Sequence, residues 1–153
     1  MAVTLGGESV LYVATAMSEG DSELERRVSA HRERRPPGWG TLEIGGGRLE
    51  AVIEASERWE TVLFDSVTLW ASARMFGEGG EDASLGEFEA FLDRVESLRT
   101  PMILVSDEVG LGVVPESVAG RRFQDLLGLV NQRAAAAAEE VYFCVAGLEQ
   151  RIK

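Results

Sequence analysis

A chain of 153 residues with 45% hydrophobic residues is long enough for one globular domain with its own core, and its net charge of −11 argues against a general nucleic-acid surface, which needs a basic footprint. No apolar stretch approaches the ~20 residues of a membrane span, so none is expected. A single cysteine, Cys144, excludes a disulfide framework within the chain. Residues 1–7 offer neither a basic leader nor a long apolar segment, so a reducing cytoplasm is expected.

Residues 9–15 form the first short run rich in strand formers. Asp21 can cap a helix running to Arg35, where Pro36-Pro37 stops it. Residues 48–58 read as helix, with Leu49, Val52 and Ile53 on one face. Residues 61–65 read as a strand ending in Asp65, and residues 66–76 as a helix ended by Gly77. The polar, glycine-rich residues 77–82 are the candidate mobile loop. Residues 85–98 carry Phe88, Phe91, Leu92 and Val95 at helical spacing, followed by a strand over 101–106. A long helix over 117–140 contains an alanine run, and a last strand over 141–146 holds Cys144 as an expected buried thiol. This alternation predicts one α/β domain over 1–153, with a mostly parallel sheet and helices on both faces.

Open parallel sheets bind ligands at the carboxyl ends of their strands. The polar residues there are Thr15, Asp65 and Ser106-Asp107-Glu108. Asp65 has the setting of an aspartate that orients Mg2+ on a nucleotide. A carboxylate in that position also serves as a helix cap or a solvated strand end. Residues 25–36 stand out more. They hold the one histidine, His31, and five of the fourteen arginines, while the one lysine is Lys153. On a helix, Leu24, Val28, His31 and Arg35 share a face, with Arg27 and Arg34 flanking the histidine. A neutral imidazole can attack phosphorus, and arginines can hold phosphate oxygens. The other reading is a surface helix with Glu–Arg pairs and a bystander histidine.

Four blocks in this order carry a resemblance: His31-Arg32-Glu33-Arg34-Arg35-Pro36; Asp65-Ser66-Val67-Thr68-Leu69-Trp70; the stretch from Val105 to Glu116 containing Glu108-Val109-Gly110-Leu111-Gly112-Val113-Val114-Pro115-Glu116; and Arg121-Arg122-Phe123-Gln124-Asp125 with Val130-Asn131-Gln132-Arg133. Together they resemble the bifunctional adenosylcobinamide kinase/adenosylcobinamide-phosphate guanylyltransferase family of cobalamin biosynthesis. The resemblance implies a P-loop-NTPase-like (RecA-like) fold, a homotrimer, and transfer of GMP from GTP to adenosylcobinamide phosphate through a GMP-histidine intermediate. It makes His31 the guanylylated nucleophile. It also makes Ala14, Thr15, Ala16, Arg32, Glu33, Arg34, Arg35, Glu43 and Asp65 the nucleotide-binding residues, Glu43 on the guanine side. GTP is the implied substrate, Mg2+ its companion ion, and ATP a further phosphate donor to adenosylcobinamide.

The family's glycine-rich phosphate loop, ending in lysine and serine, has no counterpart in residues 1–152, which contain no lysine. Val3-Thr4-Leu5-Gly6-Gly7 looks like the first strand and opening glycines of that loop. Only Glu8 and Ser9 separate it from the next strand, too few for a parallel crossover. The expectation is therefore a fold without the phosphate loop and the first helix. Guanylyl transfer would survive and the kinase activity be weakened or lost. The alternatives are a non-catalytic binding or regulatory descendant, or a deletion product of the full enzyme. Asp107 is a smaller departure, where the family usually has Asn. So is about one extra residue near Ser18-Glu19-Gly20, before the helix carrying His31.

Overall fold

The computed structural model describes residues 1–16, 22–77 and 79–153; the side chains of Leu24 and Arg27 also fall outside that description. The chain forms two compact units, Met1–Asp107 and Glu108–Lys153. Along the first unit run α1 (Ala2–Gly6), β1 (Val10–Ala14), α2 (Ser22–Glu33), β2 (Gly40–Glu43), α3 (Glu50–Ser56), β3 (Thr61–Asp65), α4 (Val67–Phe76), α5 (Gly80–Glu96) and β4 (Met102–Val105).

Strands β1 and β3 are apolar at nearly every position because both their faces are covered. They occupy the middle of a four-stranded parallel sheet of order β2-β1-β3-β4. From β1 the chain goes to β2 on one side, then passes back over β1 to β3 on the other. That reversal of direction makes the carboxyl ends of β1 and β3 the place where a crevice opens. The sheet is flanked by helices. Phe64 of β3 meets Phe91 of α5 at 6.0 Å between ring centroids, and Phe88 stands 6.0 Å from Phe91 and 5.7 Å from Trp70 of α4. Trp70, Phe64 and Phe88 are fully buried, and the Trp70 indole Nε1 donates to the Gly47 carbonyl at 3.0 Å. Ser66 caps α4, its hydroxyl accepting from the Leu69 amide at 3.2 Å.

The second unit contains α6 (Val118–Ala137), β5 (Tyr142–Val145) and β6 (Leu148–Arg151). Ser117 caps α6 by accepting from the Gly120 amide at 3.0 Å. Strands β5 and β6 pair antiparallel through a turn in which Ala146 and Gly147 both have positive φ, the geometry of a tight hairpin. Lys153 donates to the carbonyls of Ala135 and Ala136 at 3.0 and 2.9 Å, where the last turn of α6 leaves acceptors unfilled.

Several expectations change. Residues 3–7 are not a strand: residues 2–6 are helix α1, followed by a turn. A helix therefore precedes β1, and an omission of loop and helix between Gly7 and Val10 loses the strand it rested on. The expected loop over 77–82 gives way to helix at Gly80, where α5 begins. Strand β2 was not foreseen. It is a four-residue edge strand, and a side chain on Gly40 would collide with the Trp59 ring 2.2 Å from its Cβ. Residues 142–145 do form a strand, but in a separate antiparallel hairpin with β6, also unforeseen. Cys144 is exposed rather than buried. Helix α2 ends at Glu33, so Arg35 leaves the face it was expected to share with His31. The expected cap Asp21 and the segment 18–20 lie outside the described residues.

Candidate functional site

Side chains alternate between the two faces of a strand, so register decides which residues share a surface. Ala14 of β1 is paired with Glu43 of β2 on one side and Asp65 of β3 on the other. These three form one row across the carboxyl end of the sheet. The Cα atoms of Glu43 and Asp65 stand two strand spacings apart, roughly 10 Å. Alanine between them leaves a low floor between two carboxylates. The row one pleat back holds Thr41, Tyr12 and Leu63 on the same face.

Residues from the end of α2 reach this face. Arg32 pairs with Glu43, and both side chains are exposed. Arg35, just past the helix, lays its guanidinium over the Tyr12 ring, 3.5 Å from the centroid, and donates to the Thr41 hydroxyl at 3.0 Å. Its Nε is buried with no hydrogen-bond partner among the described residues. The Tyr12 hydroxyl donates to Asp65 Oδ2. Burial, and then this hydrogen bond, push the Tyr12 phenol up to about 12. His31, Glu33 and Arg34 are exposed around the C-terminal end of α2, and Ala16 is half-buried beyond β1.

Thr15 is 1% exposed. Its hydroxyl accepts from the Ser66 amide at 2.7 Å and donates to the Ser66 carbonyl at 2.8 Å, and its own amide donates to the Asp65 carbonyl at 3.3 Å. It therefore holds the carboxyl end of β1 to the start of α4, across the cis peptide between Asp65 and Ser66. Ser106 and Asp107 lie on the β4 side of the row. The Thr68 hydroxyl accepts from the Asp107 amide at 2.7 Å.

Next to Glu43 the chain turns through Ile44-Gly45-Gly46-Gly47, with Gly45 at φ 52°. That turn and residues Ala73, Arg74 and Gly77 enclose an open pocket of about 370 Å³. On its wall Arg74 is bound to Glu87 at 2.6 Å. Glu87 in turn accepts from the Leu49 amide at 3.1 Å, so the arginine's partner is itself fixed at the start of α3.

The structure thus gathers Ala14, Arg32, Arg35, Glu43 and Asp65 on one face, with Thr15 beneath as a brace. Sequence reasoning missed Tyr12 and Thr41. Strand parity was the available signal, since Tyr12 lies two residues before Ala14 and faces the same way. No group of three or more His, Cys, Asp or Glu residues that could hold a metal exists among the described residues. No described helix is long and apolar enough to cross a membrane.

Residues 2–152 match the profile of the family described as cobinamide kinase / cobinamide phosphate guanyltransferase. The chain is 39% identical over 147 residues to the bifunctional adenosylcobalamin biosynthesis protein CobP of Pseudomonas aeruginosa, covering 96% of this chain and 84% of that protein. It is similar too to the bifunctional adenosylcobalamin biosynthesis proteins CobU of Escherichia coli and Salmonella typhimurium. Identity is 36% over 156 residues and 33% over 157, in both cases covering 94% of this chain and 86% of the relative.

Proposed function

This chain belongs to the cobinamide kinase / cobinamide phosphate guanyltransferase family of cobalamin biosynthesis, and from that premise we propose that it transfers GMP from GTP to adenosylcobinamide phosphate through His31. The observation that carries the reading is the row Glu43–Ala14–Asp65, reached by Arg32 and Arg35 from the end of the helix that bears His31. A guanine nucleotide can use each part of this combination: cations for its phosphates, a carboxylate for the N–H donors of its base, and a low floor between them.

In the proposed reaction a neutral His31 nitrogen attacks the α-phosphorus of GTP. A P–N bond forms, the bond from that phosphorus to the bridging oxygen breaks, and pyrophosphate leaves. A phosphate oxygen of the cobinamide phosphate then attacks the same phosphorus, the P–N bond breaks, and the imidazole is regenerated. Arg32 and Arg35 hold phosphate oxygens, with Arg34 and Glu33 completing the rim. Glu43 accepts from the guanine edge once Arg32 turns from it to phosphate, and the pocket that starts at Ile44 takes the base. Asp65 suits Mg2+, which is bound through one or two carboxylates with the substrate phosphates supplying further oxygens. When bound, that ion neutralises charge on the triphosphate. Thr15 acts through Ser66, and Ala14 and Ala16 border the nucleotide.

We further propose that this 153-residue chain is a weak adenosylcobinamide kinase with either ATP or GTP, and that it assembles as a trimer. Its one lysine, Lys153, is engaged with α6 carbonyls rather than offered to a phosphate. Incubation with α-labelled GTP and Mg2+ tests the main reading. Wild type should acquire acid-labile label and His31→Ala none. GTP binding without label in either would favour a non-catalytic descendant.

A further inference from the structure

One side chain at the site belongs to no step above and yet touches two of the residues assigned to it. Tyr12 lies in the middle of β1, 8% exposed, one pleat behind the Glu43–Ala14–Asp65 row. Its diagonal neighbour across the parallel ladder is Asp65, because Tyr12 is paired with Leu63 and Ala14 with Asp65. The hydroxyl donates to Asp65 Oδ2, taking one oxygen of the carboxylate and leaving the other for a ligand. The ring face carries the Arg35 guanidinium at 3.5 Å. Thr41, the residue beside Tyr12 on β2, accepts from the same arginine at 3.0 Å. Arg35 is thereby held by groups that leave its buried Nε without a partner.

We infer that Tyr12 is a positioning residue for the nucleotide, its hydroxyl setting Asp65 and its ring setting Arg35. The Asp65 carboxylate and the Arg35 guanidinium carry opposite charges, and each is in contact with Tyr12. The phenol between them gives each a separate contact, so both remain available to a charged ligand. Its neutral state suits this task, since it adds no charge beside the phosphates.

The inference rests on the nucleotide reading of the site, and the test separates the two. Tyr12→Phe keeps the platform under Arg35 and removes the donor to Asp65; Tyr12→Leu removes both. Affinity for GTP with Mg2+ is measured by titration calorimetry on folded protein, thermal unfolding is followed alongside, and label uptake is recorded against GTP concentration. For Tyr12→Phe the dissociation constant and the half-saturating GTP concentration should rise on the order of tenfold, the size of one hydrogen bond to a charged group. Tyr12→Leu should lose more. If Tyr12→Leu does not fold, Tyr12→Phe decides. A merely structural tyrosine would lower thermal stability and leave the affinity of the folded fraction unchanged, and that result would overturn the inference. Wild type that binds GTP without acquiring label, with Tyr12→Phe still weaker, would keep the inference and sink the guanylyl-transfer reading. Wild type that binds no GTP would overturn both.

Discussion

The Arg35 guanidinium rests 3.5 Å from the centroid of the Tyr12 ring, while the Tyr12 hydroxyl donates to Asp65. This contact exists because α2 stops at Glu33 and releases Arg35 onto the sheet.

The raised phenol has a consequence for alkaline stability. An unfolded tyrosine titrates near ~10, whereas burial and Asp65 hold Tyr12 near 12, the Arg35 guanidinium pulling weakly the other way. Between those values the unfolded chain binds fewer protons than the folded one, so stability falls as pH rises. The contribution is complete below pH ~10 and is lost toward pH 12, a difference of roughly 2–3 kcal/mol. The chain has two tyrosines, so Tyr142→Phe leaves Tyr12 as its single phenol. Absorbance titration of that variant should give a midpoint near 12. A midpoint near ~10 would contradict the buried hydrogen bond.

Ala14 is the floor of the row, and bulk there should fill the space between Glu43 and Asp65. Ala14→Leu is expected to weaken GTP binding by at least about tenfold. Because Ala14 is only half-buried, unfolding free energy should fall by less than about 1 kcal/mol. Calorimetric titration and denaturant unfolding measure the two effects separately.

The Arg32–Glu43 pair is exposed at 53% and 57%, so it contributes little to stability. Glu43→Gln should leave thermal unfolding nearly unchanged and reduce the preference for GTP over ATP. Competition binding between the two nucleotides checks this. An unchanged preference would remove Glu43 from the guanine side.

Trp70 ties α4 to the glycine turn beside Glu43 through its bond to the Gly47 carbonyl. Trp70→Phe removes the bond to the half-buried Gly47 carbonyl and should cost about 1 kcal/mol, with a further loss from the smaller ring. Urea unfolding reads the loss directly.

Much of this was legible in the sequence. The buried strands β1 and β3 read as continuous apolar runs, and the phenylalanines of α5 kept helical period. Asp65 was read from its place at a strand end, and it does end β3; Ala14 was named by the family resemblance, and it ends β1. Strand β2 was illegible because four residues on an edge, alternately half-buried and exposed, give too short a period. Residues 3–7 look like a strand only by their β-branched residues; backbone hydrogen bonds from Thr4 and Leu5 to the Met1 carbonyl make the helix. Cys144 sits in an apolar run, yet its two-stranded hairpin leaves it exposed. Tyr12 was hidden because its role depends on register with β2 and β3, which no single segment encodes.

Whether His31 accepts GMP is decided by finding where the label sits. Wild-type protein incubated with α-labelled GTP and Mg2+ is digested, and the labelled peptide is sequenced. One guanylylated peptide carrying His31 is expected, its label moving to adenosylcobinamide phosphate when that acceptor is added. Label on any other residue, or equal labelling of His31→Ala, would contradict it.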